Sequence, residues 1–109
     1  MTIENLEFSF DKGILISKIL GDIDHHSAKF VRDKIDTYII GCKPSLIFLD
    51  LSSVDFMDSS GLGLILGRLN TAQEIGAEMR IYSPSRNVRK ILELAGIERL
   101  IKIEEDLKI

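Results

Sequence analysis

The stretch FMDSSGLGLILGR, from Phe56 to Arg68, sets an aspartate, two adjacent serines and closely spaced glycines ahead of an apolar helical pattern. A hydroxyl at the start of a helix can do three things. It can cap the helix by accepting bonds from amides that have no partner in the first turn. It can receive a phosphate, because the same end carries partial positive charge and free N–H donors. It can also attack a substrate, but only with a base beside it. The chain has two histidines, His25 and His26, and DSSG lacks the G-x-S-x-G turn that exposes a hydrolase serine. Capping and accepting therefore remain, and Gly61 and Gly63 are expected to keep the surface flat for an approaching protein.

Three competing patterns fail on spacing or context. GLGLILG reads G-x-G-x-x-x-G rather than G-x-G-x-x-G, and the acidic residues before it would repel a pyrophosphate. His25 and His26 are adjacent, so on a helix they diverge and cannot clamp one metal ion by themselves. The run LIFLDLSSVDFMDSSG has an aspartate at a strand end and Met-Asp further on, as in a phosphoacceptor receiver domain. Its spacing is one residue too long, the proline is missing, and Asp11 stands without the second acid that a magnesium site needs.

The elements that must position these residues are legible from hydrophobic periodicity. Leu6, Phe8 and Phe10 alternate with polar residues, as in a strand with one buried face, and Asp11–Gly13 then offers a tight turn. Ile14–Leu20 is apolar on both faces and should return antiparallel. Ala28, Val31, Ile35, Tyr38 and Ile39 fall on one helical stripe, with Gly41 placed to stop the helix. Ser45–Leu51 is a continuous apolar run, the pattern of a central strand covered on both faces. Leu62, Ile65, Leu66, Leu69 and Ala72 stripe the next helix, which Gly76 should end. EMRIYS predicts a short strand. SPSRNVRKILELAG predicts a helix capped by Ser83, with Pro84 at its first position and Gly96 after its last turn. RLIKI predicts a final strand, and EEDLKI the beginning of a short last helix.

The order ββαβαβαβ implies an α/β fold: an N-terminal hairpin, then right-handed crossovers, and a mixed sheet of four or five strands with helices. The strands ending near Gly21–Asp24 and Asp50–Asp58 then leave from the same carboxyl edge of the sheet, where open α/β sheets place their sites. GDIDHH and FMDSSG are thus expected to be neighbours in space.

Composition narrows the function classes. With 109 residues, 45% hydrophobic and 28% charged, the chain suits one domain with a single core. A net charge of −3 gives no electrostatic case for nucleic acid or an anionic membrane. No apolar run is long enough to span a bilayer, and MTIENLEFSF does not read as a signal peptide. Cys42 is the single cysteine, which excludes an intrachain disulfide and suits the cytoplasm.

GDIDHHSA followed by DLSSVDFMDSSGLGLILGR closely resembles the sporulation anti-sigma factor antagonists of the STAS-domain family, and the likeness continues through GAEMRIYSPSRNVRKILELAGI. The resemblance implies that residues 1–109 are one STAS domain, a binding switch and not an enzyme, with no cofactor and no metal. It implies that the unphosphorylated protein binds an anti-sigma factor that is also a serine kinase, freeing a sigma factor. That kinase would use Mg-ATP to phosphorylate Ser59, and a metal-dependent serine phosphatase would reverse it. Asp24 matches the aspartate that pairs with an arginine of the kinase, within a partner-binding set of Asp24, Asp58, Ser59, Ser60 and Gly61. The free protein is expected to be a monomer.

Electrostatics supplies the switch. Phosphorylation adds about −1.5 to −2 charges at neutral pH, beside Asp58, Asp55 and the expected neighbour Asp24. A surface that docks against a nucleotide-bearing pocket cannot desolvate that charge without a large cost. Two other readings stay open: a STAS module that senses a nucleotide or anion, and an interaction domain within a stress-signalling assembly.

Overall fold

The computed structural model of the chain describes residues 2–3 and 5–105. Two short-looped strands come first after a brief edge strand: β1 (Thr2–Ile3), β2 (Leu6–Asp11) and β3 (Ile14–Leu20). Crossovers follow: α1 (Ala28–Cys42), β4 (Leu46–Ser53), α2 (Ser59–Glu74), β5 (Glu78–Tyr82), α3 (Arg86–Leu94), a 3-10 turn (Ile97–Arg99) and β6 (Lys102–Glu104). The hairpin closes through Lys12 and Gly13, both at positive φ (50° and 81°), the backbone that matches the twist of paired strands. The sheet order is β1-β2-β3-β4-β5-β6. β2 and β3 pair antiparallel, whereas β3, β4, β5 and β6 pair parallel through their crossovers. The mixed sheet and its five expected strands are present, and the two-residue β1 extends the edge by a sixth.

Register divides the sheet into two unlike faces. Leu15, Ile47 and Met79 lie in one row, and Ser17, Leu49 and Ile81 in the next. These rows join Val31, Ile35 and Ile39 of α1, Leu64, Ile65 and Ala72 of α2, and Val88 and Leu92 of α3 in one core cluster. All three helices therefore bury their apolar faces against the same side of the sheet. β4 is buried on both faces, as its apolar run predicts, but the helices cover only one of them. Phe48 is buried yet lies outside that cluster, flanked by its in-register neighbours Ile16 and Arg80. On that face Arg80 pairs with Glu78 of its own strand and with Glu104 of β6, so ion pairs and neighbouring side chains do the covering. Phe10, predicted to face the core, is 45% exposed although its in-register neighbour Leu15 is fully buried, because β2 lies further towards the sheet edge than β3.

Helix boundaries move for local reasons. Gly41 does not stop α1, which runs on to Cys42 and ends at Lys43 in the left-handed region (φ 49°), just before Pro44. The buried stripe of α2 is Gly61, Leu64, Ile65, Arg68 and Ala72, so Leu66 turns outward and Leu64 takes its place. Ser83 does not cap α3. Its N–H still bonds the Glu104 carbonyl (2.6 Å), keeping the chain in the sheet, and its φ is 48°. Ser85 caps instead, accepting from the Val88 amide (3.3 Å) while donating to the Val54 carbonyl (2.8 Å). The expected terminal helix in EEDLKI falls largely on residues 106–109, which lie outside the described residues.

Candidate functional site

β3 and β4 run parallel, and the loops that leave them are stitched together in the backbone. Gly21 N donates to Ser53 O (3.2 Å), Ile23 N to Phe56 O (3.2 Å) and Asp58 N to Ile23 O (3.2 Å). Ile23 and Met57 form a parallel bridge, and both side chains are buried beneath it. GDIDHH and FMDSSG are neighbours in space, as strand order requires.

The residue that clamps the two loops, Asp22, is absent from the sequence-derived site. Its Oδ1 accepts from the amides of Phe56 (3.0 Å) and Asp55 (3.3 Å). The signal for it is weak, because an Asx carboxylate usually serves its own turn and this one serves amides over thirty residues away.

Asp24 does serve its own turn. Its Oδ1 accepts from the amides of His26 (2.8 Å) and Ser27 (3.0 Å), while its own N–H donates to Ser27 Oγ (3.1 Å). This reciprocal arrangement fixes the entry to α1. The Ser27 amide bond, aided by that of His26, holds the Asp24 carboxyl below the ordinary aspartate value against the opposing effect of desolvation. Both bonds fall on one oxygen of an exposed side chain, so the carboxylate keeps acceptor capacity for a partner's cation.

At the head of α2 the cap is Asp58, and neither serine fills that role. Asp58 has extended backbone, and its Oδ1 accepts from the Ser60 amide (2.8 Å). Its carbonyl takes the Gly61 amide (3.0 Å) and the Leu62 amide at the longer distance of 3.4 Å. Ser59 is thus the first helical residue and exposed, and Ser60 is half-buried. Neither hydroxyl has a hydrogen-bond partner among the described residues. Neither serine therefore caps the helix as the sequence allowed, since Asp58 already takes the Ser60 amide.

Gly61 also changes role. It is buried, and a Cβ built on it would stand 2.7 Å from Met57 Cβ. It does not flatten a docking surface; it lets α2 press onto the residue that bridges Ile23. Gly63 is exposed with open space around it, so the flat approach belongs there. Gly61→Ala is expected to destabilise the fold by about 1–3 kcal/mol through overpacking. Gly63→Ala should be neutral or stabilising by up to about 1 kcal/mol, the helix-propensity gain. Urea denaturation midpoints check both, and a Gly61→Ala midpoint at the wild-type value would remove the contact from the account.

Among the described residues no helix is long and apolar enough to cross a membrane. The STAS domain family pattern matches residues 5–108. An anti-sigma F factor antagonist of Paenibacillus polymyxa is 34% identical over 101 residues, which cover 93% of this chain and 86% of that protein. The structure of the anti-sigma factor antagonist SpoIIAA in its unphosphorylated form superposes with a TM-score of 0.78 at 26% identity, covering 93% of this chain and 89% of that one. The Bacillus cell fate determinant SpoIIAA in the phosphorylated form gives 0.71 at 25% identity, covering 93% and 92%.

Proposed function

The chain belongs to the STAS domain family, and on that premise we propose that it is an anti-sigma factor antagonist switched by phosphate on Ser59. The observation that carries this reading is the state of Ser59: an exposed hydroxyl, without a hydrogen-bond partner among the described residues, at the first position of a helix that Asp58 already caps. Capping makes no demand on it, so it is free to accept a phosphoryl group. The name of the Paenibacillus relative and the phosphorylated form of the Bacillus neighbour support the same reading.

In the unphosphorylated state the protein binds an anti-sigma factor that is also a serine kinase, and the sigma factor is released. Asp24, held by its own turn beside the stitched loops, meets a cation of that partner, Asp58 and Ser60 shape the surface around Ser59, and buried Gly61 seats the helix that carries them. The kinase transfers phosphate from Mg-ATP to Ser59, and a metal-dependent phosphatase restores the hydroxyl. The added charge falls beside exposed Asp55 and half-buried Asp58, and docking it against a nucleotide-bearing pocket is opposed by repulsion and desolvation. The protein works in the cytoplasm, as a monomer when free, and turns over no substrate of its own.

Incubation with an anti-sigma serine kinase and Mg-ATP, followed by intact mass measurement, tests the reading. A gain of one phosphate is expected. Stoichiometric nucleotide binding with no phosphate gained would favour a ligand-sensing module instead, and a large self-assembled particle would favour a scaffold.

A further inference from the structure

We propose that the groove between the first turns of α1 and α2 is a phosphate-binding site that receives the phosphate of phosphorylated Ser59. This rests on the reading of Ser59 as the acceptor. The groove encloses about 290 Å³ and is lined by His25, Lys29 and Arg32 on one wall and by Ser60, Gly63 and Leu64 on the other. Its ionisable lining is wholly basic, in a chain of net charge −3 whose adjoining loops carry Asp22, Asp24, Asp55 and Asp58. A basic concavity in such surroundings selects anions of the size of a phosphate.

The cations differ in availability. Arg32 already binds Asp33, through Nη2 (3.1 Å) and Nε (3.2 Å). Lys29 is exposed and has no ion-pair partner among the described residues. It lies three residues before Arg32 on α1, so the two share a face. Lys29 is therefore the group left to be satisfied.

Ser59 stands next to Ser60 at the rim of the groove and does not itself line it, so its phosphate would reach in from the edge. Ser59 and Gly63 are four residues apart and lie on one helix face, and no Cβ stands at Gly63 to block a phosphate leaning over it. The alternative holder, the helix's own amides, is largely taken. Ser60 N is bonded to Asp58 Oδ1 and Gly61 N to the Asp58 carbonyl. Beyond its own Ser59 amide, a phosphate there finds its remaining hydrogen-bond donors among side chains, and those lining the groove are Lys29, His25 and Arg32. Phosphorylation thereby adds charge to the docking surface and also withdraws Lys29 from it.

The test uses the full chain with phosphoserine installed in place of Ser59 during synthesis, titrated by ³¹P NMR. The second phosphate ionisation of phosphoserine lies at about pH 6 when unperturbed. Lys29→Gln is expected to raise it by about half a unit or more, the effect of removing a nearby opposite charge, and Lys29→Arg to restore it. Lys34→Gln removes the same charge further along α1, where the ammonium sits over the Phe30 ring, and should leave the titration unchanged. Asp24, Asp33, Asp55 and Asp58 are present in every variant, so their field cancels in the comparison. An unmoved value for Lys29→Gln, or an equal shift for Lys34→Gln, would overturn the groove. Because the phosphate is installed without a kinase, that outcome is separate from failure of the proposed switch, which the mass measurement decides.

Discussion

Ser59→Ala should abolish phosphorylation while leaving the anti-sigma factor bound as tightly as by the wild type, producing a permanently releasing form. The hydroxyl it removes has no hydrogen-bond partner among the described residues, so little stability should be lost with it. Ser59→Asp should also fold normally, because an acidic residue suits the first turn of a helix. Its binding should weaken, up to roughly a hundredfold, which corresponds to about 3 kcal/mol. Ser60→Ala should remain a full substrate with stability within about 0.5 kcal/mol of wild type, as expected where no interaction is deleted. Asp58→Ala should cost about 1 kcal/mol, the worth of an N-cap, because the Ser60 amide then loses its acceptor. Phosphopeptide mapping of the serine variants separates the two hydroxyls. Phosphate on Ser60 in the wild type, or full phosphorylation of Ser59→Ala, would reverse the assignment.

What the sequence made legible follows from which forces are local. Strand order, the hairpin and the meeting of the two loops came from periodicity and crossover geometry, because a parallel sheet leaves few places for strand ends to go. The identity of the cap did not. DSS offers three side chains able to accept an amide, and only the path of the chain, tied by Asp58 N to Ile23 O, decides that the aspartate is the one outside the helix. The same holds for Ser83 against Ser85, where the Glu104 carbonyl keeps the first serine in the sheet. Asp22 and Gly61 were misread or missed because their partners, Phe56 and Met57, are contacts of the folded chain rather than of the spacing.

The largest stability effect is expected where α1 and α2 cross. Arg68, 6% exposed in the middle of the α2 stripe, lies 2.8 Å by its Nε from Asp36 Oδ1 of α1. The contact is ionic without a well-aligned hydrogen bond, and Arg68 Nη1 has no partner among the described residues. Desolvation pushes the Asp36 carboxyl up despite the pull of Arg68, and pushes the Arg68 guanidinium down despite Asp36. A carboxyl whose folded value is raised withdraws stability as the pH climbs from its ordinary value through the folded one. Both shifts mark the cost of taking this pair out of water. Removing one partner is worse. Asp36→Ala leaves a buried guanidinium uncompensated and should destabilise by about 2–4 kcal/mol, at or below the usual range for a broken buried pair because water reaches the half-exposed Asp36 side. Arg68→Met combined with Asp36→Leu should be at least as stable as wild type, and up to about 2 kcal/mol more so. The pair would then be retained for alignment, since α1 begins at the Asp24 turn and α2 begins at Ser59. The double variant is accordingly expected to bind the anti-sigma factor more weakly than its stability alone would suggest. Urea curves for the wild type and the two variants, with binding isotherms for the wild type and the double variant, check this, and a double variant less stable than Asp36→Ala would show that the ion pair holds the helices together after all.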